Sequence, residues 1–441
     1  MNYENIILYL VASSAAAFQI VNWIEWRKRI HFVGVLGLSV ALSPLVFSAV
    51  SLISFIIIGQ FSFLDISTVL NTLLVISALP LLFSTRSLKR YFTDRQEIIE
   101  VSFQSYLFSF IWLLAVSFLI FSSNNTFLTQ NDSLEYLIAA RELFYSPSLD
   151  SYPILNPETN ISGFYGPWTH PPLYSILIAV SLMVDGNPNN PEAFRFLAPW
   201  FAISSSLFLL CLSNFIKSEY ALISACSFLL LPLYFLGAES GLADSIVIYG
   251  FIGSIFILIF SKPNNLNFIF CAILTSHALL SHSQAIIYPI FFIFVSIILT
   301  GFNVKTLKYL ALYIIVLFGI SIYPYIRNFE IFGFLAGDSS AVFELEILQW
   351  KEHFSKERGI DTPIAKLEYG LFKGFTSLEA YGFIFWFSLA GFAGFGLRIF
   401  RKAKISNFKQ SLLLHGSSSL IINLAVFISS YSFLSASGRF R

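Results

Sequence analysis

The chain is built from apolar runs too long and too numerous for the core of a soluble domain. Stretches of about 17 or more residues, enough to cross a bilayer as a helix, occur at 6–25, 31–59, 66–84, 100–121, 193–214, 219–236, 244–260, 266–282, 284–301, 308–326, 379–399 and 411–435. A lipid interior offers no partner to a backbone N–H or C=O, so only helices and closed barrels cross it. Barrel strands alternate apolar and polar residues over short segments, whereas these runs are solidly apolar. Composition points the same way: 56% of the 441 residues are hydrophobic and 12% are charged, against roughly a quarter charged in an ordinary soluble domain. A soluble enzyme, a disordered chain and a disulfide-built secreted module are excluded. The expected fold is an all-α polytopic membrane protein with about 12 transmembrane helices.

A net charge of +1 gives no reason to expect nucleic acid as a partner. The three cysteines, Cys211, Cys226 and Cys271, lie inside apolar runs and read as small core residues. The first run is long enough to span and is followed by Arg27, Lys28 and Arg29. It reads as a retained helix, not a cleaved signal.

Basic loops set the orientation. Arg27, Lys28 and Arg29 follow the first span, and Arg86, Lys89, Arg90 and Arg95 follow the third. Both clusters belong in the cytoplasm, which puts 122–192 outside. The run 171–184 has only 14 residues and opens with Pro171 and Pro172. If it crossed, the basic cluster from Arg398 to Lys409 would fall outside. Charge parity therefore keeps it on or in the outer interface. The extracytoplasmic face then carries two large polar segments, 122–192 and 327–378, with short corners between. Long polar loops on one face of a bundle are usually functional.

In the first loop, TQNDSLEYLIAARELF (129–144) has Leu134, Leu137, Ile138 and Leu143 at helical spacing. Asp132 at its start is either a helix cap or a carboxylate held at the membrane surface as a base or metal ligand. GFYGPWTHPPLYSILIAV (163–180) follows. Tyr165 and Trp168 offer flat faces for a sugar ring. His170 precedes the helix that dips inward, where the positive helix end favours an anion such as phosphate. The plain alternative is an aromatic membrane belt.

These residues together resemble the GT-C membrane glycosyltransferases, in particular the protein O-mannosyltransferase-like group that includes the lipid A aminoarabinose transferases. The resemblance rests on Asp132 in its DSLEYLIAAREL context, HPPLY at 170–174 and Arg195 at the next span start. It extends through GAESGLADSI at 237–246, YPYIRNFEIFG at 323–333 and SGRFR at 437–441. It covers about residues 100–441. Residues 1–99, with three extra spans, lie outside it, and the C-terminal end reads as truncated before the family's usual late spans or soluble domain. The resemblance implies a GT-C-type bundle whose first outer loop carries two juxtamembrane helices. It also implies transfer of a sugar from a polyprenyl-phosphate donor to an acceptor hydroxyl at the extracytoplasmic face, with inversion. Asp132 would match the catalytic base.

An alcohol is a poor nucleophile, and a positioned base contributes about 10²–10⁴-fold. The leaving lipid phosphate is a stable anion and needs cations or helix ends around it. Candidates are His170, Arg195, Arg327 and Arg439, with snorkelling the plain alternative for Arg327 and an ion pair with Glu192 that for Arg195. His282 stands at an outer corner, while His277, inside a span, reads as a core histidine. Glu239 and Asp244 flank one outer corner. Either can orient the acceptor or join Asp132 in binding Mg or Mn through oxygen, and either is also placed as a helix-end acid. The segment 341–358 reads as an amphipathic interfacial helix. Rival readings are a transporter or flippase, and a polymerase or ligase, for lipid-linked saccharides. Transporters bury ionisable residues at the bilayer midplane, whereas the acids here gather at span ends.

Overall fold

The computed structural model describes residues 3–61, 64–80, 103–125, 131–149, 171–215 and 218–332. The spans expected at 379–399 and 411–435, the interfacial helix expected at 341–358, and Tyr165, Trp168, His170 and Arg439 lie outside them. The described residues form helices and turns without a strand; one isolated bridge joins Trp26 and Ser261.

In chain order the helices are α1 (Tyr3–Trp23), α2 (Phe32–Gln60), α3 (Ile66–Ala78), α4 (Phe103–Asn125), α5 (Asn131–Tyr145), α6 (Leu173–Asp185), α7 (Leu197–Leu210), α8 (Ser218–Leu229), α9 (Pro232–Glu239), α10 (Asp244–Phe260), α11 (Asn265–Leu279), α12 (Ile287–Thr300), α13 (Val304–Ser321) and α14 (Tyr323–Phe332). Among the described residues, five helical segments are long and apolar enough to cross a membrane: Asn5–Trp23, Phe32–Gln60, Ser105–Asn125, Pro191–Asn214 and Val304–Ser321. Helices α3, α6, α10, α11 and α12 are apolar but shorter. Two expected spans are interrupted. The run 219–236 is α8 and α9, parted at Leu230–Leu231 because Pro232 lacks the N–H that would continue the ladder. The run 308–326 begins earlier, at Val304, and is parted at Ile322.

Side chains close the ladder ends. Asp65 caps α3 at Thr68 N (2.8 Å), Asn264 caps α11 at Asn267 N (2.8 Å), and Asn303 caps α13 at Thr306 N (3.0 Å). Inside α2, Pro44 cannot donate to the Val40 carbonyl; the Ser43 hydroxyl donates there instead, at 2.7 Å. Other buried hydroxyls donate back along their own helices, as Ser39 does to Val35 and Ser276 to Ala272. The three cysteines are buried and free, as expected.

The described residues fall into two compact units. One holds those up to Leu230, Tyr234–Ser283 and the chain from Asn303; the other holds Leu231–Leu233 and Gln284–Phe302, with α12. In the first unit, α2 and α7 run antiparallel, with Trp200 Nε1 donating to Ser43 Oγ (3.2 Å) and the Phe47 and Trp200 rings 5.2 Å apart. Helices α7 and α10 run parallel, pairing Phe201 with Tyr249 and Phe208 with Phe256. Helices α10 and α11 return antiparallel at such close range that a Cβ on Gly250 would stand 2.4 Å from the Leu274 carbonyl oxygen. Helices α1–α3 belong to this unit through α2. On α4, Phe110, Leu113, Leu114, Phe118 and Phe121 are exposed, an apolar face suited to lipid.

This alternation gives the unit two ends. At one, Arg27 N donates to Phe260 O (2.9 Å), Lys262 N to Glu25 O (2.6 Å) and Arg27 Nε to Ser261 O (2.8 Å). Lys28, Arg29, Lys305 and Lys308 sit at the same end, and burial lowers the Arg27 guanidinium below its ordinary pKa. The opposite end carries the acidic corner after α9.

Candidate functional site

Three successive residues of that corner each hold a different helix. Glu239, the last residue of α9, accepts a hydrogen bond from Ser122 near the end of α4. The Ser240 carbonyl accepts from Ser133 Oγ in the first turn of α5 at 2.5 Å. The Gly241 carbonyl accepts from the Tyr174 hydroxyl at the start of α6, at 2.8 Å. The corner itself is a helix C-cap: Gly241 has φ 72°, Leu242 N donates to Gly237 O (2.9 Å) and Gly241 N to Ala238 O (3.4 Å). A residue with Cβ is strained there, so glycine fits. Asp244 then opens α10, where the positive end of the helix favours a carboxylate.

The same belt continues around the unit. The Tyr136 and Tyr174 rings pack edge to face at 5.0 Å, and both side chains are fully buried. Burial raises the Tyr174 phenol above its ordinary pKa, which keeps its donor proton in place. Pro171 and Pro172 have no N–H; Leu173, the next residue, gives its own to the Leu280 carbonyl (2.9 Å). Tyr325 on α14 donates to the Leu279 carbonyl (2.8 Å).

Helix α6 therefore starts at this end of the bundle. After it, Arg195 Nη1 donates to the Asn124 carbonyl at the tip of α4 (2.8 Å). Arg195, which follows α6, thus lies at the end where α6 starts, and 13 residues make a helix of only about 20 Å. The α6 segment from Leu173 to Leu182 is buried throughout.

The expected site residues divide clearly. Asp132 is the second residue of α5, directly before Ser133, and Glu239 directly precedes Ser240; the Ser133–Ser240 bond thus brings the two acid-bearing backbone segments together. Glu239 and Asp244 are half-buried on either side of the corner. His282 is buried in the turn after α11, two residues beyond the Leu280 carbonyl that Leu173 reaches. Arg327 is half-buried on α14 and lies 3.8 Å from Glu330 one turn on. His277 is a core histidine: its Nε2 is 2.9 Å from Ser48 Oγ, and its ring stands against Phe201 and Tyr249. Among the described residues no group of three His, Cys, Asp or Glu converges.

Ser122, Ser133, Tyr136 and Tyr174 were not singled out from the sequence. Ser133 and Tyr136 stand inside the DSLEY string and Tyr174 inside HPPLY, so a signal was present for those three. Ser122 sits in an ordinary apolar span and carried none.

The arrangement sets Glu239 and Asp244 at one corner, where hydroxyls from three helices hold the Glu239 carboxylate and the Ser240 and Gly241 carbonyls. No protein-family model matches the chain, and no curated protein or solved structure matches it either.

Proposed function

We propose that the chain is a glycosyltransferase that moves a sugar from a polyprenyl-phosphate carrier to an acceptor hydroxyl at the extracytoplasmic membrane face. The observation that carries this reading is the Ser133–Ser240 hydrogen bond, which sets the Asp132 backbone beside the Glu239–Asp244 corner. Two acid-bearing stretches more than a hundred residues apart in sequence meet at one bundle end, opposite the end bearing Arg27, Lys28, Arg29 and Lys262. Basic ends of bundles face the cytoplasm, so the acidic end faces outward.

In this mechanism Asp132 takes the proton of the acceptor hydroxyl. The acceptor oxygen attacks the anomeric carbon, and the bond from that carbon to the phosphate oxygen breaks. Polyprenyl phosphate leaves with the electron pair, and the configuration inverts. Arg195 and Arg327 stand at the same end as cations for the departing phosphate. A transporter for the same lipid-linked sugars is disfavoured by the position of the acids, at a bundle end and not at mid-depth.

The test uses the full chain in lipid nanodiscs with undecaprenyl-phosphate-linked mannose, glucose and aminoarabinose as donors and with hydroxyl acceptors of three classes, a serine/threonine peptide, a glycolipid and a polysaccharide. Release of undecaprenyl phosphate that depends on Asp132 supports the reading. Donor movement across a vesicle bilayer with the sugar bond intact would replace it with the transporter.

A further inference from the structure

We propose that Ser122 is a positioning residue that holds the Glu239 carboxylate for substrate, an inference that rests on the transferase reading above. Glu239 is the last residue of α9, and a carboxylate on a flexible side chain at a helix end has several rotamers open to it. The hydroxyl of Ser122 donates to Glu239 Oε1, which selects one. Both side chains are half-buried, where a charge-assisted hydrogen bond outweighs its solvent-exposed equivalent.

The surroundings make the choice of Ser122 specific. Helix α4 is held along its length: Cys226 Sγ lies 3.2 Å from the Phe108 carbonyl, Trp112 Nε1 donates to Ser206 Oγ at 3.1 Å, and Arg195 takes the Asn124 carbonyl at 2.8 Å. Ser122 thus lies between the Trp112 contact and the Asn124 contact at the tip of α4. One residue after Glu239, the Ser240 carbonyl is fixed by Ser133. Glu239 is thus held by its side chain through α4 and by its neighbour through α5, the helix that carries Asp132. Glu239 is consequently the acid that works beside Asp132. It accepts a hydrogen bond from a hydroxyl of the incoming substrate and aligns that hydroxyl, while Asp132 removes the proton.

The experiment is a double-mutant cycle on the full chain in nanodiscs, with undecaprenyl-phosphate-linked mannose, glucose and aminoarabinose as probes. Ser122→Ala should lower kcat by about tenfold, the worth of one such hydrogen bond. KM should stay within about twofold, and the melting temperature should hold. Ser122→Thr, which keeps the hydroxyl, should restore kcat. Glu239→Ala should lose more, and adding Ser122→Ala to it should cost nothing further, because the anchor then has no acceptor to position. Full additivity, an unchanged kcat in Ser122→Ala, or a kcat loss that tracks a fallen melting temperature overturns the proposal. A substrate-free measurement separates this from failure of the transferase reading. Carbodiimide labelling of Glu239, read by peptide mass, should rise severalfold in Ser122→Ala and not in Ser122→Thr. If that holds while wild type releases no undecaprenyl phosphate, the clasp stands but the transferase role falls. Unchanged labelling overturns the clasp itself.

Discussion

Ser133 donates its hydroxyl to the Ser240 carbonyl at 2.5 Å, joining the first turn of α5 to the corner between α9 and α10. Both residues are buried, so the carbonyl has little access to water should the donor be removed. Ser133→Ala is expected to destabilise the protein by about 1–3 kcal/mol, the cost of an unsatisfied buried polar group. Ser133→Thr, which retains the hydroxyl, should cost less. Thermal unfolding in detergent measures both, and equal losses would show that the hydroxyl is not the stabilising feature.

Asp132→Asn separates a catalytic role from a structural one. The amide is nearly isosteric, and Asp132 is the second residue of α5 and not its cap, so expression and melting temperature should hold. Sugar transfer should drop by at least about 100-fold, near 2.7 kcal/mol of transition-state stabilisation. Activity within a few-fold of wild type removes Asp132 from the mechanism.

The close approach of α10 and α11 predicts opposite signs for two glycine substitutions. Gly250→Ala would drive a Cβ to 2.4 Å from the Leu274 carbonyl oxygen, and the helices must part at a cost of about 1–3 kcal/mol. Gly319 on α13 has open space around its Cβ position. Gly319→Ala should stabilise by up to about 1 kcal/mol through helix propensity. The two melting temperatures should move in opposite directions; a common direction contradicts the packing.

His277 and Ser48 connect α11 to α2 at 2.9 Å. A double-mutant cycle with His277→Phe and Ser48→Ala should give a coupling energy of about 1 kcal/mol in unfolding. Independence of the two substitutions would mean that α2 is not coupled to α11 through this contact.

Cysteine labelling tests the sidedness. Lys28→Cys and Lys262→Cys should react from one face of the membrane, and Asn187→Cys, in the exposed turn after α6, from the other. Reaction of all three from one face contradicts the two-ended arrangement of the unit.

The apolar runs were enough to predict a helical membrane bundle, because a lipid interior leaves the backbone no partner but itself. Charge signs along the chain anticipated the two ends, and five described segments have the length and apolarity to cross. Pro232 marks the break between α8 and α9, a local steric effect legible in one residue. The acids Asp132, Glu239 and Asp244 stood out because charge is scarce in such a chain. Their supports were less legible. Ser122 meets Glu239 across 117 positions and Ser133 meets Ser240 across 107. A serine in an apolar span looks like any other, since most satisfy themselves on their own helix, as Ser39 and Ser276 do. Which hydroxyl turns away to hold another helix depends on how α4, α5 and α9 pack. That is decided by side-chain volumes along whole helices, a property of the assembled bundle and of no single stretch of sequence.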